Sequence, residues 1–272
     1  MAVLRIMMIG DVVGEPGLKA LESRLPLFIK ENKIDLVVAN GENAYGGFGL
    51  TAPLMERLLA SGVNIVSSGN HIWEQREFWP VLESEQPVLR PLNYPEGSPG
   101  KGWLRWDLNS GAEMLPAVYV VNLQGREFMT PLDCPFKAFD LFEKSLLGET
   151  NNAKNIILVD MHAESSREKE SLAYYLDGRA SVIAGTHTHV QTADERILPK
   201  GTAYITDLGM CGNPNGVIGM DAKICLERAK KQVLYRMEVA ESGEEGSALI
   251  QGIIAEIDSE SAKALSVRRV SI

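Results

Sequence analysis

The sequence predicts an α/β protein built on mostly parallel strands, and three observations carry that prediction. Short apolar runs recur with helix-spaced segments between them, the pattern of strands covered by helices on both faces. Five of these runs empty into polar residues able to bind a ligand. All four histidines, His71, His162, His187 and His189, stand at such strand ends. A chain of 272 residues that is 45% hydrophobic has material for a sizeable core, and it reads as one domain, 1–272.

The first run, Val3 to Gly10, closes in Asp11. Gly14-Glu15-Pro16-Gly17 turns the chain into a helix from Leu18 to Lys30, which Pro26 is expected to kink or divide. Ile34 to Ala39 is the second run and leads into Asn40-Gly41-Glu42-Asn43. After a glycine-rich loop, Thr51 is a candidate cap and Pro53 opens a helix ending at Gly62. The third run, Val63 to Ser68, reaches Gly69-Asn70-His71, and a helix is expected around Gln75 to Glu85. Pro87 to Pro99 is too proline-rich for a regular element.

Trp103 to Leu108 and Ala117 to Leu123, separated by Asn109-Ser110-Gly111, read as a hairpin that adds antiparallel strands. Phe136 to Leu147 is helical, and the fourth run, Ile156 to Val159, ends in Asp160-Met161-His162. A helix from Ser165 to Leu176 precedes the fifth run, Val182 to Ala184, with His187 and His189 just beyond it. In an extended segment alternate side chains face one side, so these two imidazoles are expected to share one site. Ala203 to Thr206 is a further strand, ending in Asp207. A helix from Asp221 to Lys231 then leads to three antiparallel strands, Val233 to Glu241, Ala248 to Asp258 and Leu265 to Ile272.

A formal charge of −9 and a pI near 5.1 argue against a stable nucleic-acid complex, whose backbone calls for cationic surface. They leave room for a small phosphate substrate, because bound divalent cations reverse the local field. Cys134, Cys211 and Cys225 are widely spaced with no C-x-x-C, which suggests neither disulfides nor a cysteine metal site. The N-terminus runs directly into a strand without a signal core, and no apolar stretch approaches a membrane span. A cytoplasmic protein is expected; homo-oligomerisation stays open.

Collected, the strand ends give Asp11, Glu42 with Asn43, Asn70 with His71, His162, His187 and His189. In open α/β sheets ligands bind beyond the carboxyl ends of the strands. Carboxylates and imidazoles without thiolates suit Mn, Fe or Zn. About seven ligands are too many for one ion with an open position and divide naturally between two. A hydroxide bridging two such ions is a ready nucleophile towards phosphorus. His71 beside Asn70 could stay uncoordinated and protonate a departing alkoxide. Asp194, Glu195 and Arg196 read as a salt-bridged loop, and Asp207 stays outside the set as a structural strand end.

The segments GDVVGEPG at Gly10, NGENAYGGFGLT at Asn40, GNHIWE at Gly69, DMHAE at Asp160 and GTHTHVQTADERILPKGTAYITDLGM at Gly185 together resemble the YmdB-like branch of the calcineurin-like metallophosphoesterases. The likeness spans about residues 3 to 220, and its last block is long and specific. It implies a four-layer α/β/β/α sandwich with mixed sheets, and phosphodiesterase activity towards cyclic nucleotides such as 2′,3′-cAMP. It further implies that Asp11, Asn43 and His189 hold one divalent metal, that Asn70, His162 and His187 hold the other, and that Glu42 bridges them. Fe or Mn come first as the ions, with Zn as an alternative, and His71 is the implied proton donor.

Two departures from the broader superfamily stand out. Its first motif is D-x-H, whereas this chain has Asp11-Val12-Val13, so Asn43 replaces a histidine ligand. An acid usually follows the histidine of GNH, whereas Ile72 does here, which leaves Glu74 and Asp160 as candidates to orient His71. Two other functions compete: a nucleotide-binding regulatory protein with weak catalysis, and a metal-dependent amidohydrolase. The second normally carries its H-x-H pair on an early strand, and here the pair comes late.

Overall fold

Residues 2–108, 116–146, 155–241 and 248–272 are described by the computed structural model. In chain order the elements are β1 (Val3–Val12), α1 (Gly14–Asn32), β2 (Leu36–Asn40), α2 (Ala52–Ala60), β3 (Ile65–Ser67), α3 (Trp79–Leu82), β4 (Trp103–Trp106) and β5 (Val118–Gln124). They continue as α4 (Pro135–Leu146), β6 (Ile156–His162), α5 (Ser166–Leu176), β7 (Val182–Thr186), β8 (Arg196–Ile197), β9 (Ala203–Ile205) and β10 (Met210–Gly212). The chain closes with α6 (Ala222–Lys231), β11 (Leu249–Asp258) and β12 (Ala264–Ser271).

The apolar strands are buried on both faces, which is why they read as continuous runs. Along β1, Leu4, Ile6 and Met8 enter a core shared with Val38, Val120 and Leu158. The alternate residues Met7 and Ile9 pack instead on Leu18 and Leu21 of α1 and Leu58 of α2. On the far side, Val121 and Val159 pack on Phe139 of α4 and Leu172 of α5. Burying one such large aliphatic side chain contributes about 1.5–3 kcal/mol. The layers therefore run helix, sheet, sheet, helix, the expected α/β/β/α sandwich.

One sheet has the order β12-β11-β10-β1-β2-β3 and the other β4-β5-β6-β7-β9-β8. Strands β1, β2, β3 and β10 are parallel, as are β5, β6, β7 and β9, while β4, β8, β11 and β12 pair antiparallel with their neighbours. The C-terminal strands complete the first sheet: β11 pairs with β1 from Val3 to Ile9, and β10 takes over beside Asp11. Among the described residues no helix is long and apolar enough to cross a membrane.

Several expectations change. Pro26 does not divide α1, which continues through it. Its ring lies on the exposed face, so the Glu22 carbonyl it leaves without an N–H donor can be solvated. Thr51 is extended at the start of α2 but makes no side-chain cap bond, whereas Ser165 and Asp221 do cap α5 and α6. The segment around Gln75 to Glu85 forms only a 3-10 turn and the single turn α3. Strands β4 and β5 pair as anticipated, and their Asn109-Ser110-Gly111 connection lies outside the described residues, as does Leu147. Val233 to Glu241 is not a strand; its one β-bridge joins Val239 to Met220. Its apolar residues Val233 and Leu234 stay exposed. The short strands β8 and β10 lie outside the strands read from the sequence.

Candidate metal centre

Register brings the polar strand ends to one rim. On the first sheet Asp11 stands beside Asn40, and Asn40 beside Ser67. On the second, His162 stands beside Thr186. Because the sheets pack face to face with these ends together, residues far apart in sequence meet. The Asp160 carboxylate accepts from Ser67 Oγ at 2.5 Å, and the His187 N–H donates to Asp11 Oδ2 at 3.1 Å.

Two groups form. In the first, Asn43 Nδ2 lies 3.3 Å from Asp11 Oδ1 and 3.1 Å from His189 Nε2, and His189 Nε2 lies 3.6 Å from Asp11 Oδ1. The Asn43 amide thus turns its nitrogen to its neighbours, and ligation through Oδ1 requires the amide rotated by a half turn. In the second group, His162 Nε2 has three neighbours: Glu42 Oε1 at 2.9 Å, His187 Nδ1 at 3.0 Å and Asn70 Oδ1 at 3.1 Å. Asp11, Glu42 and His162 are fully buried, and Asn43 and His189 nearly so.

The second group has the donor chemistry of a cation site. Two imidazole nitrogens, a carboxylate oxygen and an amide oxygen crowd together with at most two protons among them. Glu42 Oε1 is buried and accepts no hydrogen bond despite its closeness to His162. A buried carboxylate oxygen left in that state is costly unless a positive charge joins it. One ligand atom each from Glu42, His162 and His187 lie within 4.8 Å of one another, so these residues fit a divalent metal.

His71 stands at the edge of this cluster. Its N–H donates to Glu42 Oε2 at 2.8 Å, while its partly exposed ring reaches Glu74 Oε1 through Nδ1 at 3.3 Å and meets Phe48 edge to face. Of the two candidates for orienting His71, the structure pairs Glu74 with it. Asp160 instead lies beneath His162 and accepts from Thr186 Oγ1 at 2.6 Å.

Comparisons with known proteins show the family of the chain. The family model described as "YmdB-like protein" matches residues 7–270. The chain belongs to the YmdB-like family. It is 42% identical to the 2′,3′-cyclic-nucleotide 2′-phosphodiesterase of Bacillus subtilis, over 99% of this chain and 97% of that protein. Among solved structures, a hypothetical protein from Thermus thermophilus superposes with a TM-score of 0.86 at 41% identity, covering 99% of both chains. A novel phosphatase from Mycoplasma pneumoniae superposes with a TM-score of 0.90 at 31% identity, covering 100% of this chain and 94% of that one.

Against that family background, the supporting residues are what sequence reasoning missed. His162 Nδ1 lies 3.0 Å from Thr186 Oγ1, which donates in turn to Asp160 and so leaves Nε2 facing the cluster. Asn40 Oδ1 accepts the Glu42 N–H at 3.1 Å. His189 Nδ1 donates to the Ile218 carbonyl at 2.8 Å, which frees Nε2. Glu164 Oε2 lies 3.2 Å from His187 Nε2. The one available signal was adjacency, since Asn40, Asp160, Glu164 and Thr186 all sit within two residues of a candidate ligand. Partners of ligating imidazoles typically change metal affinity by 10–100-fold. Glu164→Gln is expected to weaken Mn binding by ~10-fold in isothermal titration, and unchanged affinity would remove Glu164 from this role.

The two histidines of the GTHTH segment converge for another reason than strand pleating. Strand β7 ends at Thr186, and both His187 and His189 have positive φ, 100° and 63°. Such conformations cost about 1–3 kcal/mol each for a non-glycine residue and persist only where surroundings enforce them. The rings meet the site because the chain turns sharply, not because it is extended.

Charge in the cluster is strongly coupled. Burial pushes the Asp11 carboxyl up, but the rings of His189 and His162 and the His187 N–H together outweigh burial and hold it far below the usual carboxylate range. Burial likewise disfavours a charged His189, yet Asp11 and the Ile218 carbonyl raise it to about 9. Burial and the neighbouring His162 push His187 down to about 4, which keeps it a neutral donor. Burial raises Asp160 to about 6 in spite of His162 and its hydroxyl donors. In metal-free protein the His189 contribution to stability is complete below the ordinary histidine value near 6.5 and is lost as pH rises through about 9. His162, raised by Glu42 against burial, acts in the same direction. Chelator-treated protein should therefore lose thermal stability from pH 6.5 to 9, and His189→Gln should flatten that slope.

Proposed function

We propose that this chain is a dinuclear metal-dependent phosphodiesterase acting on small phosphodiesters, with 2′,3′-cyclic nucleotides such as 2′,3′-cAMP as its substrates in the cytoplasm. By family the chain is a phosphoric ester hydrolase. The observation that carries the finer reading is the convergence of Glu42, His162 and His187 on one buried point, with Asp11, Asn43 and His189 grouped beside it. The Bacillus subtilis relative's name gives the substrate class.

In this reading Asp11, Asn43 and His189 would hold one ion, Asn70, His162 and His187 the other, and Glu42 would serve both. Fe or Mn are the first choices for an oxygen and nitrogen donor set, with Zn third. When bound, the ions supply positive charge to the phosphoryl oxygens and lower the pKa of an attacking water. His71 stands outside the ligand set, fixed by its N–H to Glu42 and by Glu74 at Nδ1. Its Nε2 then donates a proton to the departing ribose oxygen. The buried Asp160 and Thr186 hold His162 in the tautomer that turns Nε2 to the ligand cluster.

Mn-loaded protein assayed against bis-p-nitrophenyl phosphate, 2′,3′-cAMP, 3′,5′-cAMP and an amide panel tests the reading. Turnover of 2′,3′-cAMP to the 3′-monophosphate is expected. Nucleotide binding without turnover would favour the regulatory alternative, and hydrolysis confined to amides would favour an amidohydrolase.

A further inference from the structure

The turn that carries His187 and His189 is anchored on a group outside the ligand set. Asp207, just after β9, is almost fully buried. Its Oδ2 accepts from Thr188 Oγ1 at 2.8 Å and from the Thr188 N–H at 3.2 Å, and its Oδ1 accepts the Gly209 N–H at 2.9 Å. Thr188 is the residue between the two histidines, so both its polar donors are drawn to one carboxylate. The backbone of Asp207 is itself clamped to Thr192: its N–H donates to Thr192 Oγ1 at 3.0 Å, and its carbonyl accepts the Thr192 N–H at 3.1 Å. Asp207 thereby holds the middle of the turn at Thr188 and the chain beyond it at Thr192.

The charge on Asp207 has a dedicated counterion. Lys169 of α5, equally buried, brings Nζ to 2.7 Å from Asp207 Oδ2. A lysine from the outer helical layer reaches the rim only because Gly185 leaves a lane open. A Cβ at Gly185 would lie 2.8 Å from Lys169 Cδ and 1.8 Å from the Thr206 carbonyl oxygen. An ionised carboxylate and an ammonium both withdrawn from water are expensive to place, and breaking such a pair strands the remaining charge. Apolar packing would serve stability alone at least as well. What the carboxylate provides here is two converging acceptor contacts on Thr188, a residue flanked on both sides by histidines held at positive φ.

We propose that Asp207, neutralised by Lys169, is a positioning residue that holds the His187–Thr188–His189 turn in the conformation that aims both imidazoles at the ligand cluster. The inference rests on the metal reading only for what those imidazoles bind. Neither residue touches the ligand atoms; they act through Thr188.

The test compares wild type with Asp207→Asn, Lys169→Met and, as a control for plain destabilisation, Leu158→Ala in the core between the sheets. Imidazole resonances of the metal-free proteins report ring placement, and titration with Mn reports affinity. Asp207→Asn and Lys169→Met should shift or broaden the His187 and His189 signals while leaving His71 in place, and should weaken Mn binding by ~10-fold or more. Leu158→Ala should lower the melting temperature with wild-type signals and affinity. Thr188→Val, which keeps the N–H and loses the hydroxyl, should fall between wild type and Asp207→Asn. The proposal is overturned if Asp207→Asn behaves like Leu158→Ala. If wild type binds no Mn yet Asp207→Asn displaces both rings, the metal reading fails and the positioning role stands.

Discussion

Glu42→Gln is expected to fold and to lose metal-dependent phosphodiester hydrolysis by ~10³-fold, since charge stabilisation by bound ions contributes several kcal/mol and each ~1.4 kcal/mol is tenfold in rate. The substitution keeps the volume of a fully buried side chain and retains an oxygen to accept the His71 N–H. It removes the negative charge that faces His162 at 2.9 Å and the second oxygen through which one residue could serve two ions. Metal content measured alongside turnover separates the causes. A variant with fewer bound ions and proportionate loss of rate identifies Glu42 as a ligand. Wild-type rates in Glu42→Gln would sink the proposed bridging role.

The second large effect belongs to a residue with no side chain. A Cβ added at Gly69 would lie 2.1 to 2.4 Å from Cδ2, Nε2 and Cγ of His162, far inside contact distance. The ring cannot retreat freely, because Nδ1 is held by Thr186 at 3.0 Å and Thr186 by the buried Asp160. Gly69→Ala must therefore displace either His162 or the Asn70–His71 turn. Overpacking of this kind costs about 1–3 kcal/mol of stability. Misplacing a positioned group by about 1 Å can cost ~10²-fold in rate, so activity should fall much further than folding does. Denaturant unfolding together with turnover checks both; a stable, fully active Gly69→Ala variant would show that the ring has room to move.

Much of the fold was legible because strands buried on both faces leave continuous apolar runs, and the five runs that end in candidate ligands are all strands here. The C-terminal pair β11 and β12 was legible too, but Val233 to Glu241 shares their apolar content without a sheet to join. Apolar content reports a tendency to be buried; pairing requires a partner edge, and β10 already occupies the place beside β1 at Asp11. The expectation that Pro26 could divide its helix failed in a similar way. A proline's cost depends on whether the carbonyl it leaves free can reach water, and that depends on which helix face is exposed.

By itself the sequence determined the class of fold, the direction of the strands and the set of residues that stand at their carboxyl ends, because periodicity and burial are local properties of the chain. The tertiary structure alone decided how those residues meet. It set Glu74 rather than Asp160 against His71, placed Thr186 and Asp160 behind His162, and turned GTHTH through two left-handed residues instead of along a pleat. It also made Asp207 and Lys169, 38 positions apart, a buried pair under that turn. Contacts of this kind depend on sheet-to-sheet register and on helices crossing over strands, and no residue spacing encodes them.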